Sequence, residues 1–93
     1  MDPSVKINQR VSVIAIYRDQ GKPTELCMPT RMRYKGRDIT FEELGLRHPT
    51  SAGKRMIHIF DMTDDINDYR LAFDAERLTW MLVSMLEGHH VGH

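Results

Sequence analysis

Residues 69–82 read Tyr-Arg-Leu-Ala-Phe-Asp-Ala-Glu-Arg-Leu-Thr-Trp-Met-Leu, and whether this stretch is strand or helix decides the fold. Tyr69, Leu71 and Phe73 alternate with Arg70, Ala72 and Asp74, which is the period of a half-buried strand. After Ala75-Glu-Arg77 the alternation returns as Leu78, Trp80 and Leu82. A four-residue loop, Asp74 to Arg77, would set Phe73 opposite Leu78 and keep every large apolar group on one face. A helix capped by Asp74 competes, because Leu78, Met81, Leu82, Met85 and Leu86 also follow helical spacing, with Gly88 as a stop. The Tyr-x-Leu-x-Phe run tips the reading towards a strand, since a hairpin buries Trp80 against it.

Working back along the chain, Arg55-Met-Ile-His-Ile-Phe-Asp-Met62 reads as a strand buried on both faces and central in the sheet, followed by the acidic turn Thr63-Asp-Asp-Ile-Asn-Asp68. Thr30–Phe41 reads as a hairpin about Lys35-Gly36 or Gly36-Arg37, with Met32, Tyr34, Ile39 and Phe41 on one face and Arg31, Arg33 and Lys35 on the other. Val11–Tyr17 is a strand ended by Asp19-Gln-Gly-Lys-Pro23, and Leu26–Tyr34 returns with Pro29 marking an edge or a bulge. Thr40-Phe-Glu-Glu43 resembles a helix capping box that predicts a short turn over 41–45, and 48–53 reads as a loop.

The expectation is an all-β or mostly β domain: a small antiparallel barrel or half-barrel of five to six strands with one short helical turn. Residues 1–86 form the single domain, with 87–93 as a flexible C-terminal tail. The expected core is Val13, Ile16, Ile39, Phe41, Ile57, Ile59, Phe60, Leu71, Phe73, Leu78, Trp80 and Leu82.

Between Pro29 and Leu82 the chain resembles a family of small bacterial domains of unknown function. The resemblance rests on Tyr34-Lys-Gly-Arg37 and on the Tyr-x-Leu-x-Phe-Asp…Leu-x-Trp-x-Leu pattern of residues 69–82. It implies a compact β-barrel-like domain and carries no activity.

Composition narrows the function classes. With 41% hydrophobic and 28% charged residues the chain can build a core, which argues against disorder. No run approaches the roughly 18 apolar residues of a membrane span, and the opening MDPSVKINQR lacks a signal-peptide core, so the expected location is cytoplasmic with no membrane partner. One cysteine, Cys27, excludes an internal disulfide. The net charge is zero, yet residues 1–55 hold eleven Lys/Arg against six Asp/Glu, and residues 56–93 hold two against seven. Pairing strands from the two halves accounts for this without any ligand.

No enzyme signature is present, and the expected cofactor set is none. His89-His-Val-Gly-His93 has metal-ligating side chains, but a terminal Gly-flanked tail gives them no fixed geometry. Nothing in the spacing of Cys27, His48 and His58 demands a nucleophilic pair. Asp61, Asp64, Asp65, Asn67 and Asp68 miss the calcium-loop register, because Ile66 falls on a ligand position. Glu42 and Glu43 point different ways on a helix and make no acid/base dyad.

Two candidate surfaces remain. Met81, Val83 and Met85 form a second apolar face opposite that of Trp80, suited to self-association as a homodimer or to an unknown protein partner. Arg31, Arg33, Tyr34, Lys35 and Arg37 could hold single-stranded nucleic acid or another polyanion, although cations on an edge strand also prevent unwanted pairing. The favoured function is a non-enzymatic protein-interaction module, with polyanion binding as the alternative.

Overall fold

The computed structural model describes residues 4–21, 27–52 and 55–88. They form seven strands and, among them, no helix: β1 (Val5–Tyr17), β2 (Cys27–Tyr34), β3 (Arg37–Thr40), β4 (Glu43–Ala52), β5 (Arg55–Thr63), β6 (Asp68–Asp74) and β7 (Thr79–Leu86). All ladders are antiparallel and the order is β3-β2-β1-β7-β6-β5-β4, a single sheet curled into a half-barrel. The all-β, barrel-like reading holds, with one or two strands more than expected.

The extra strand replaces the predicted helical turn. Phe41 N–H donates to the Thr30 carbonyl (2.9 Å) and Glu42 N–H to the Thr63 carbonyl (2.7 Å). Two successive amides that a capping box would leave to a helix are therefore taken by β2 on one side and β5 on the other, so tertiary pairing overrides the local signal. Residues 37–52 become one bent path, and this corner draws the two ends of the sheet together. Residues 48–52, expected in a loop, belong to β4.

The core is Met32, Phe41, Phe60, Met62, Tyr69, Leu71, Trp80 and Leu82. Trp80 lies 4.7 Å from the Phe73 ring and 5.4 Å from Phe60, centroid to centroid, and Phe41 meets Tyr69 edge-on at 5.7 Å. Pro29 is fully buried beside a bulge at Ile14/Ala15, the reading its missing N–H suggested. β5 is not central, since it lies one strand from the edge between β4 and β6, although Ile59 and Phe60, on opposite faces, are both buried.

Of the expected core, Ile57 is half-buried and Ile59 buried but both stand outside this cluster, and two residues lie at the surface. Ile16 is 43% exposed, because β1 turns Val11, Val13 and Ala15 inward and its even-numbered neighbours outward. Leu78 is 75% exposed: the last hairpin pairs Asp74 with Thr79 and Phe73 with Trp80, shifting the four-residue loop to 75–78. Asp74 Oδ1 fixes this register by accepting the Glu76 and Arg77 amides at 3.0 and 3.2 Å. Leu78 is left at φ 58°, a region costing a non-glycine residue about 1 kcal/mol. Leu78→Gly is therefore expected to raise stability by up to about 1 kcal/mol, read as a higher urea midpoint at unchanged slope.

The first hairpin turns on Lys35-Gly36, both at positive φ (52° and 74°), the type I′ geometry that matches strand twist. The curl has a countable origin at the opposite end. Between matched rows, β6 advances one residue (Leu71 to Arg70), β7 two (Leu82 to Ser84) and β1 three (Gln9 to Lys6). Extra residues accumulate strand by strand, so β1 takes the longest path and the sheet bends about β6.

Candidate interaction surface

β1 is shared between two ladders. Its first half, Val5–Val11, pairs with β7, and its second half, Ser12–Tyr17, pairs with β2. Each half therefore has one edge with no ladder among the described residues, and the outer edges of β3, of β4 and of Cys27–Pro29 in β2, which β3 does not reach, bring such edges of three residues or more to five.

Four of the five carry the devices that discourage strand addition: Cys27–Pro29 is only three residues long and contains a proline. β3 has four residues and includes Arg37 and Asp38. β4 contains Pro49 and a register shift between Leu44 and Leu46. Val5–Val11 has Lys6 and Arg10 and a bulge with Asn8 at φ 50°. The edge of Ser12-Val-Ile-Ala-Ile-Tyr17 has no charge, no proline and β-branched or aromatic residues at four of six positions. Ile14 and Tyr17 expose 59% and 65% of their surface beside the half-exposed Ile16.

The basic hairpin is divided between faces. Arg31 and Arg33 are exposed on the outer side, and Arg33 Nε donates to Asp38 Oδ1 at 3.1 Å. Tyr34 packs against the core, with Lys35 Nζ 5.4 Å from its ring centroid, and Arg37 lies opposite Tyr34 in the ladder. The two-residue turn puts Arg37 on the Tyr34 side, away from Arg31 and Arg33.

The methionine face is also divided. Val83 is the extra residue of the β7 bulge, so side-chain parity changes there. Met81 pairs with Ala72 and Arg10 on the outer side, whereas Met85 lies opposite Tyr69 and packs against the core. The expectation that Met81, Val83 and Met85 share one face is corrected by that bulge, which no alternation rule locates.

The bulges also produce a trough that sequence reading did not find. A cavity of about 760 Å³ crosses the sheet over the row Lys6–Ser84–Arg70–Asp61, lined by four strands along that row and by Glu43 of β4. Arg70 grips Asp61 with two bonds, Nε to Oδ1 at 2.8 Å and Nη2 to Oδ2 at 3.0 Å. The only early sign was the outward Asp61 and Arg70, which face each other once Phe60 is paired with Leu71.

Beside the trough, the 64–67 loop is tied to Tyr69. The Tyr69 hydroxyl donates to Asp64 Oδ2 (2.8 Å), Asn67 Nδ2 donates back to that hydroxyl (3.3 Å), and Gly88 N–H donates to Asn67 Oδ1 (2.9 Å). Burial tends to raise the Asp64 carboxyl, but the amides of Asn67 and Ile66 and the Tyr69 hydroxyl together hold it below its ordinary value. Burial, with the Asp64 charge adding to it, pushes the Tyr69 phenol up to about 12, although Asn67 and Arg37 pull the other way. A phenol raised from 10.0 to about 12 on folding contributes stability that is complete below pH 10 and is lost as pH rises towards 12. Urea midpoints from pH 9 to 12 should therefore fall more steeply for the wild type than for Tyr69→Phe; parallel curves would contradict the assignment.

Among the described residues no three His, Cys, Asp or Glu side chains are grouped to hold a metal ion, and no helix is long and apolar enough to cross a membrane. The Cys27 thiol contacts the Tyr17 hydroxyl, whose proton is held more tightly through partial burial and then through that contact. The side chain of His48, Gly53, and the histidine-rich residues 89–93 of the expected tail lie outside the described residues.

Comparison with protein-family models, curated proteins and solved structures gave no match.

Proposed function

We propose that this domain is a non-enzymatic protein-interaction module that accepts an extended polypeptide strand along the bare half of β1. The observation that carries the reading is the contrast among the five edges: four are blunted, and Ser12–Tyr17 alone is long, uncharged, free of proline and β-branched, with Ile14, Ile16 and Tyr17 exposed. Strand addition supplies affinity through main-chain hydrogen bonds and selectivity through alternate side chains, here an outward pair, Ile14 and Ile16. A reaction centre has less support, since the charged groups of the trough are led by an ion pair that satisfies itself. The polyanion reading is weakened because the hairpin cations fall on two faces and Tyr34 is engaged by both the core and Lys35.

The test uses a labelled peptide with the sequence of residues 10–18. Saturable binding is expected by fluorescence anisotropy, with an affinity on the order of 100 μM, as suits a small edge contact. Ile14→Lys/Ile16→Lys should weaken it at least about tenfold, since two apolar contacts are lost and charge is placed on the edge. Absence of binding, or equal binding to the variant, would overturn the reading.

A further inference from the structure

We propose that the strand received along this edge is the same segment of a second copy, paired antiparallel about a two-fold axis at Ala15. The inference rests on the strand-accepting reading above and adds the occupant and the register.

The geometry of identical strands restricts the choice sharply. Opposed residues in an antiparallel pair project to the same face, so a two-fold axis normal to the sheet requires paired residue numbers with an even sum. Centring on Ile14 would set Arg10 against Arg18 of the other copy at both ends, and like charges directly opposite repel. It would also require the edge of Val11, which is already paired with Trp80. Centring on Ile16 would place Ile14 against Arg18 and Val13 against Asp19, opposing apolar residues with charges. Centring on Ala15 uses the whole bare edge. It sets Ile14 against Ile16 twice on the outer side and Val13 against Tyr17 twice on the other, and sends each Arg18 to a serine, Ser12.

The small residue sits where the two backbones cross the axis, and the exposed apolar groups find one another. The product is a continuous six-stranded sheet made from β3-β2-β1 of each copy, which removes the one edge the fold leaves unprotected.

The register is testable by cross-linking in a Cys27→Ser background. Opposed residues in such a pair have Cα atoms about 4.5–5.5 Å apart, within disulfide range. A mixture of Ile14→Cys and Ile16→Cys proteins should give a disulfide-linked dimer on a non-reducing gel, and neither protein alone should do so. A cross-link from Ile14→Cys alone, or none from the mixture, would overturn the register. Sedimentation of the wild type should show a monomer–dimer equilibrium that Ile14→Lys/Ile16→Lys abolishes. A wild-type monomer at every concentration, with the 10–18 peptide still binding, would remove the second copy as occupant and leave the strand-accepting reading intact. Loss of peptide binding together with dimerisation would remove both.

Discussion

Trp80→Ala is expected to destabilise the protein by about 3–5 kcal/mol, a large share of the roughly 5–15 kcal/mol that holds a domain of this size together. The magnitude follows from what the indole touches. It is 8% exposed and stacks at tilted angles on Phe73, its partner across the hairpin, and on Phe60 from the next strand but one. The truncation removes the indole and leaves both rings facing a void that a sheet anchored on both sides closes poorly. Urea unfolding followed by far-ultraviolet circular dichroism measures the loss. Trp80→Phe should retain much of the stability, because it keeps ring contacts at smaller volume. A loss below about 1 kcal/mol for the alanine variant would contradict the packing described.

Phe41→Ala is expected to cost about 3 kcal/mol, with a local signature that sets it apart from an ordinary core truncation. Phe41 is buried against Tyr69 at the corner where β3 gives way to β4, and its own amide and that of Glu42 reach β2 and β5. The ring secures the point at which the two ends of the sheet meet. Removing it should speed hydrogen exchange at the Phe41 and Glu42 amides beyond what the global loss explains, while amides in the β6–β7 ladder follow global unfolding. Uniform exchange across both regions would show that the corner is not held locally.

The parts of the fold legible in the sequence were those set by period-two burial. Tyr69, Leu71, Phe73, Trp80 and Leu82 lie on one face as their spacing requires, and the Lys35-Gly36 turn falls at one of its two predicted positions. The helical turn at 41–45 was misread because a capping box is a local signal, whereas the Phe41 and Glu42 amides are claimed by strands distant in sequence. Leu78 was misplaced because the register of the last hairpin is fixed by the Asp74 carboxylate binding turn amides, and side-chain hydrophobicity does not encode that. The candidate surfaces failed to stay whole for a related reason. One extra residue at Val83 sends Met85 inward, and a turn of two residues sends Arg37 to the other side from Arg31. The bare edge of β1 was invisible because an edge belongs to the order of strands, and only the assembled sheet shows which halves of a shared strand have a neighbour.

Every ladder but one joins strands that follow each other along the chain; β1 with β7 is the exception. The N-terminal half of β1, made well before β7, must therefore wait for it before it can zip, and that closure spans residues 5–86. Long-range pairing of this kind slows folding. During the wait Val11–Tyr17, the most aggregation-prone run in the chain by its β-branched and aromatic content, has only the β2 hairpin to shield it. Synthesis rate and chaperone access between the emergence of residues 17 and 86 should thus govern the yield of soluble protein.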